Sequence, residues 1–322
     1  MYKEMCVSVI IPCYNVADHI CHVVSSIPDL VDHIIVVDDA CPEHSGDIVG
    51  EMDDDRLSVI VHEQNKGVVG AVKTGYRKAL ELQSDIIIKL DGDGQMDPEH
   101  IRKLIAPLIT GRTGYTKGNR FRDISRLNTM PRMRLFGNSV LSFLIKLVSG
   151  YWNLMDPTNG YTAIAKEALQ WIDIKAVDDR YFFEISMLVQ LNINDVHVED
   201  VDIPALYGNE KSNLQVRSIM RQYPSKLLAS FFRRIFLMYF IYSFNMASIY
   251  ILLGIPLSLF GMVYGLVEWT MSVVTGIPRT AGTIMLAALP LIIGLQMLLE
   301  AIHIDITASK HRRRTHSYSL DE

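Results

Sequence analysis

The sequence predicts an α/β domain with helices on both faces of its sheet, then an interfacial helix and a C-terminal hairpin of two transmembrane helices. Three observations predict it. Residues 1–225 read as a soluble mixture in which short β-branched runs alternate with helical patterns. Residues 226–305 are strongly apolar, and within them two long runs carry no charge.

The β-branched runs are Val7–Ile11, Ile34–Val37, Leu57–Val61 and Ile86–Leu90, and helical patterns fall roughly at Asp18–Ser26, Ser45–Met52 and Val68–Leu82. Strand–helix–strand at this spacing argues for a parallel sheet covered on both faces. Asp97-Pro98-Glu99 starts a further helix, with an acceptor at the N-cap and proline at the first helical position. Met133–Val148 and Tyr181–Leu191 read as helices, and Asp195–Ile203 alternates like a strand. Open α/β sheets bind ligands at the carboxyl ends of their strands. Polar residues gather at those ends here: Asn15, then Asp38 and Asp39, then Asp91 and Asp93.

Ala247–Val267 is uncharged over 21 residues, and Ala281–Leu299 is a second uncharged run closing at Glu300. At about 1.5 Å per residue the first spans roughly 30 Å, one hydrocarbon core. Gly254, Pro256 and Pro290 are costly in a soluble helix and tolerated in a membrane one. Lys226, Arg233 and Arg234 precede the first span; Lys310, Arg312, Arg313 and Arg314 follow the second. The positive-inside rule then puts both ends in the cytoplasm. Leu227–Phe244 is aromatic with two arginines, which suits a helix lying in the interface with its arginines reaching lipid phosphates. A turn near Ser243–Asn245 would end it. The expected organisation is a cytoplasmic domain (1–225), an interfacial segment (226–245), two spans (246–304, at about 247–267 and 281–301) and a basic tail (305–322).

Composition narrows the class. A net charge of -5 gives no electrostatic case for nucleic acid. Cys6, Cys13, Cys21 and Cys41 show no CxxC pair or zinc spacing, which suits free thiols in a reducing cytosol. The apolar run Val7–Ile11 is too short for a signal peptide and ends at Pro12, so the domain is expected to stay on the cytoplasmic side of the membrane.

The chemistry-bearing motif is Lys89-Leu90-Asp91-Gly92-Asp93-Gly94-Gln95. Two carboxylates one residue apart, leaving a buried strand, can share a hard divalent cation and its bound diphosphate. An EF-hand begins similarly but needs glycine where Met96 stands and glutamate where Arg102 stands. A plain acidic turn has the same composition. Asp38 and Asp39 can bond a ribose or base, or cap the next helix. Asn65-Lys66-Gly67 can meet phosphate at a helix start, or form a solvated turn.

Taken in order, VSVIIPCYN, VVDDA, NKGVVGAVKTGYRKAL and IIIKLDGDGQMDPEHI resemble family 2 glycosyltransferases of the GT-A fold. They are most similar to the branch holding dolichyl-phosphate mannose synthases and bacterial polyprenyl-phosphate glycosyltransferases. The likeness continues through Gly118-Asn119-Arg120-Phe121, Arg134 with Gly137-Asn138, Asp156–Tyr161 and Tyr207–Ser212, covering about residues 7–215. It implies a GT-A (Rossmann-like) mixed sheet and a role for each matching residue. Pro12, Tyr14, Asn15 and Asp39 would line the nucleotide pocket, with Lys66 and Gly67 at its edge. Asp91, Asp93 and Gln95 would hold Mg2+ or Mn2+ against the diphosphate. Arg120, Arg134 and Lys211 would meet phosphates, and Asp156 and Glu184 would stand near the acceptor. Asp156 equally suits a turn, and Glu184 a satisfied helix position. Ala40-Cys41-Pro42 departs from the family's Gly-Ser-Thr.

The implied activity is metal-dependent, inverting transfer of a sugar from a nucleoside diphosphate sugar to a membrane polyprenyl phosphate. Its rivals are transfer to a hydroxyl of a lipid-linked or surface polysaccharide precursor, and a catalytically silent membrane-tethered nucleotide-binding protein. A dinucleotide oxidoreductase is disfavoured, because no GxGxxG follows the first strand. Membrane lipids are expected partners, and a homo-oligomer is left open.

Overall fold

The computed structural model describes residues 4–120, 132–178, 182–204 and 216–311, with the side chains of 132–138, 216–223 and 309–311 left aside. The chain divides into two compact units, one running up to Phe231 and one spanning Phe232–His311.

The first unit is built on a seven-stranded sheet. Its strands are β1 (Val7–Cys13), β2 (His33–Asp38), β3 (Leu57–Val61), β4 (Ile86–Lys89), β5 (Tyr115–Asn119), β6 (Thr162–Ala165) and β7 (Val198–Asp202). The helices between them are α1 (Ala17–Ser25), α2 (Ser45–Gly50), α3 (Gly67–Glu81), α4 (Ile101–Ile109), α5 (Arg132–Ser149), α6 (Lys166–Trp171) and α7 (Phe183–Ile193). In space the strands run β3-β2-β1-β4-β6-β5-β7. The parallel pairing expected of the first four strands is found, while β6, which that pattern does not include, runs antiparallel to both β4 and β5. The other pairings are parallel, so β1, β2, β4, β5 and β7 all end at one edge. The loop that enters β6 starts from that same edge. The mixed GT-A sheet that the resemblance implied is the sheet found.

Strands β5 and β6 escape the pattern reading. All five residues of β5 are buried, yet Lys117 and Asn119 are among them. Elsewhere sequence and packing agree. Val9, Ile11, Ile34, Val36, Ile86 and Ile88 close one face of the sheet against Ile20, Val23 and Val24 of α1 and Ile101, Leu104 and Ile105 of α4. Each such side chain is worth roughly 1.5–3 kcal/mol of burial. On the other face α3 approaches so closely that a Cβ on Gly75 would lie 2.3 Å from Ile10. Asp97 accepts from the Glu99 N–H at 2.9 Å and starts a 3-10 turn, Pro98–His100, that leads into α4.

In the second unit, helix α8 (Val216–Phe236), which enters it from the first, passes into a π-helical turn, Leu237–Tyr242, and the chain breaks at Ser243–Asn245. The helix therefore begins at Val216, ahead of the expected 226. Helix α9 (Met246–Thr275) is capped by Asn245, whose side chain accepts from the Ala247 N–H at 2.9 Å while its own N–H meets Ser248 Oγ at 3.0 Å. Helix α10 (Ala281–His311) returns alongside it. Both exceed the expected spans, because the helical pattern continues past the uncharged stretch. The two pack through small residues: a Cβ on Gly261 would sit 2.6 Å from the backbone of Ala287 and Leu291, and one on Gly254 3.0 Å from the Gly294 oxygen.

One expectation fails here. Arg234 does not reach outward to lipid phosphates; it is fully buried and paired with Asp305 of α10, while Arg233 is exposed.

Candidate active site at the carboxyl edge of the sheet

At the ends of β1 and β2 the paired aspartates divide their labour. Asp38 is buried and satisfied by backbone, accepting from Cys41 N and Gly46 N at 2.7 Å each. That is the capping role. Asp39 is also buried, but only its Oδ1 is engaged, by Lys66 N at 2.8 Å and by His62 Nδ1 at 2.7 Å. A carboxylate only accepts, so His62 donates from Nδ1, while its Nε2 shares a hydrogen bond with the Thr74 hydroxyl 2.9 Å away. Asp39 Oδ2 has no hydrogen-bond partner among the described residues. A buried carboxylate oxygen in that state suits a ligand N–H or O–H donor.

Asn15 and Ala40 both have left-handed backbone (φ 54° each), which turns the chain sharply beyond β1 and β2. The Asn15 N–H meets Cys41 Sγ at 3.1 Å, so Cys41 ties the two turns together. Pro12 is buried within β1, whereas Tyr14 is 44% exposed. Lys66 is exposed at the start of α3, and Gly67 follows it with a positive φ of 77°. His62 was missed from sequence; a histidine just past β3 and shortly before Asn65-Lys66-Gly67 was the only signal.

At the end of β4, Lys89 is buried and donates to Asp91 Oδ1 at 2.7 Å and to the Gly160 carbonyl at 3.3 Å. Burial works against its ammonium, but Asp91, Glu184 and Asp93 outweigh that and hold its pKa above the ordinary lysine value. The Gln95 N–H donates to Asp93 Oδ1 at 3.0 Å, and Gly94 supplies the positive φ of 73° that the turn needs. Gly160 leaves no room for a side chain: a Cβ there would lie 2.8 Å from Lys89 Nζ and 3.2 Å from Asp91 Oδ2. The loop before β6 thus touches the acidic turn directly.

Among the described residues no group of three or more His, Cys, Asp or Glu side chains could hold a metal alone. The donor set still fits a magnesium-like ion. Asp91 and Asp93 offer hard carboxylate oxygens, Asp91 is partly exposed, and such ions take one or two carboxylates with phosphate and water completing the shell.

Beyond β5, Arg120 grips Asp156 through Nε to Oδ2 at 2.7 Å and Nη2 to Oδ1 at 3.1 Å. Asp156 is fully buried and also accepts from the Arg120 N–H and the Thr158 hydroxyl. Arg120 is partly exposed. Glu184, half-buried in the first turn of α7, lies near enough to act electrostatically on Lys89, Lys117, Tyr76 and Tyr115. The backbone of Arg134 lies in α5 but its side chain is outside the described set, and Lys211 lies outside the described residues.

The model for glycosyl transferase family 2 matches residues 8–172. The UDP-N-acetylglucosamine–dolichyl-phosphate N-acetylglucosaminyltransferase of Methanococcus voltae is 33% identical over 62% of this chain and 84% of that protein. The polyprenol monophosphomannose synthase of Mycolicibacterium smegmatis is 28% identical over 61% of this chain and 75% of that one. Among solved structures, glucosyl-3-phosphoglycerate synthase of Mycobacterium tuberculosis, crystallised with Mn2+, uridine-diphosphate-glucose and glycerol 3-phosphate, shares the fold. Its TM-score is 0.52 at 20% identity, covering 71% of this chain and 80% of that one.

Proposed function

The chain belongs to glycosyl transferase family 2, and from that premise we propose that it moves one sugar from a nucleoside diphosphate sugar to a polyprenyl phosphate held in a membrane. The observation that carries this is one contact. The loop bearing Asp156, partner of the partly exposed Arg120, touches the Asp91 turn at Gly160. A site for the donor diphosphate and a cation for an acceptor phosphate therefore adjoin.

In this reading Asp39 receives the nucleotide through its unengaged oxygen, with Pro12, Tyr14, Asn15, Lys66 and Gly67 around it. Asp91, Asp93 and Gln95 hold Mg2+ or Mn2+, which would neutralise the charge developing on the departing diphosphate. Arg120, with Arg134 and Lys211 as further candidates, meets the acceptor phosphate. That phosphate is already an anion, attacks the anomeric carbon directly and inverts it. No general base is then required. Both Asp156 oxygens are taken up by Arg120, which suits a carboxylate that aims a guanidinium better than one that abstracts a proton.

Two helices long and apolar enough to cross a membrane, Met246–Thr275 and Ala281–Ala308, support membrane association. We further propose a two-span anchor with both ends in the cytoplasm, the catalytic domain on that side, and an aromatic interfacial segment with Arg233 at the headgroups. The anchor would raise the effective concentration of a lipid acceptor.

The test is an assay of membranes containing the chain with labelled UDP- and GDP-sugars, polyprenyl phosphate and Mg2+ or Mn2+. Organic-extractable, mild-acid-labile label that vanishes with EDTA is expected. Transfer that requires a glycan acceptor would overturn the reading in favour of a hydroxyl acceptor. Asp156→Asn or Glu184→Gln should then abolish turnover and spare nucleotide binding.

A further inference from the structure

Beneath the Arg120–Asp156 pair lies a second pair of charges that the mechanism above does not use. Lys117 of β5 and Asp200 of β7 are direct register partners on adjacent parallel strands. Lys117 is fully buried, and its ammonium donates to the Asn159 carbonyl. Asp200 Oδ2 accepts the Met155 N–H, while Oδ1 is buried with no hydrogen-bond partner among the described residues. The two side chains thus fasten opposite ends of the loop that carries Asp156.

That loop is also tied to the strand carrying Arg120. Asn159 Nδ2 donates to the Gly118 carbonyl at 2.7 Å, its Oδ1 accepts the Tyr161 N–H at 3.0 Å, and the Gly118 N–H meets the Tyr161 carbonyl at 2.8 Å. A side chain at Gly118 would collide with Asn159 Nδ2, 2.8 Å from the position of its Cβ. The rung, the loop and the end of β5 form one bonded body that ends at the partly exposed Arg120.

We propose that Lys117 and Asp200 are positioning residues, which set the Met155–Tyr161 loop and, through Asp156, aim Arg120 at the acceptor's phosphate. The proposal rests on the transfer reading above. Burying two charges is costly, and neutral side chains could pack the same space more cheaply. The cost is visible in both groups. Burial pulls the Lys117 ammonium down to about 8, against the opposing pull of Glu184, Asp156 and Asp200. Burial pushes the Asp200 carboxyl up to about 6, with Asp156 adding to it and the Met155 N–H and Lys117 opposing.

The experiment uses the full chain and its K117M and D200N variants, with separate KM values for polyprenyl phosphate and for the nucleotide sugar, melting temperatures, and hydrogen exchange over residues 154–161. Both variants are expected to raise the acceptor KM about tenfold or more. The donor KM should stay within about twofold, and D200N should melt no lower than the unaltered chain at pH 7. The loop amides should exchange faster in both. A purely structural role would move donor and acceptor KM together and lower the D200N melting temperature; that result overturns the proposal, as does an unchanged acceptor KM. Should K117M not fold, D200N decides alone. If the unaltered chain transfers nothing to polyprenyl phosphate, the transfer reading has failed by itself. Loop exchange then still reads the fastening, and unchanged exchange in both variants overturns it.

Discussion

Arg234 and Asp305, 71 residues apart, meet through two parallel hydrogen bonds, Nη1 to Oδ1 at 2.8 Å and Nη2 to Oδ2 at 3.1 Å. The Tyr239 hydroxyl closes on the same Oδ1 at 2.6 Å. Planar guanidinium and carboxylate match here in the bidentate geometry that lysine cannot supply. The contact fixes the end of α8 and the π-helical turn to α10. Removing one partner leaves a buried charge uncompensated, so Arg234→Met or Asp305→Asn should each destabilise the second unit by about 3–5 kcal/mol. Replacing both with apolar residues should recover most of that. Thermal unfolding in detergent, followed at the aromatic residues of Leu237–Phe244, checks it.

Asp93→Ala should lower metal-dependent transfer by about a hundredfold or more, equivalent to ~3 kcal/mol of transition-state stabilisation. Nucleotide binding without metal should change little, because Asp93 follows β4 and Asp39 follows β2, with β1 between them in the sheet. Turnover across a Mg2+ and Mn2+ titration, set beside calorimetric binding of the nucleoside diphosphate with EDTA present, separates the two.

Asp39→Asn swaps an acceptor pair for one acceptor and one donor. Its effect should fall on donor binding, weakening it by about 1–3 kcal/mol, or roughly 10- to 100-fold. His62→Ala should act in the same direction and less strongly, since it frees the Asp39 carboxylate to turn without removing it. Titration calorimetry with UDP and GDP measures both, and the acceptor KM should not move.

Stability should depend on pH through Asp200. Its pKa is raised from 3.8 to about 6 in the folded chain, chiefly by burial. The folded state therefore holds that proton more tightly than the unfolded state. The linked stability is full below about pH 4 and lost as pH climbs through about 6. D200N lacks this titration. The melting temperature of D200N minus that of the unaltered chain should widen between pH 4 and about 6 and flatten above. A difference that stays constant over that window would refute the assignment.

Much of this could be read from the chain itself. The β-branched runs of β1 to β4, the Asp97-Pro98 helix start and the two uncharged runs are local signals, and local physics decided them. What escaped depends on residues brought together from far apart. Tyr115–Asn119 does not look like a buried strand because Lys117 sits in its middle, and a lysine there is tolerable only with Asn159 and Asp200 beside it. Asp38 and Asp39 are equivalent in sequence; the backbone N–H groups of Cys41 and Gly46 claim one, and His62 and Lys66 the other. Arg234 was assigned to lipid because its partner lies at the far end of the hairpin.

The placing of β6, β5 and β7 at one side of the sheet also sets an order of assembly. Strands β1 to β4 pair among themselves using residues 7–89, through short strand–helix–strand steps whose ends meet early. The Lys117–Asp200 rung cannot exist until the chain has been made as far as β7. During synthesis from the N-terminus, the β3-to-β4 side of the sheet is thus laid down first, and the side bearing Arg120 waits for its last strand. Until β6 is made β4 presents an open edge, and until β7 is made Lys117 lacks Asp200.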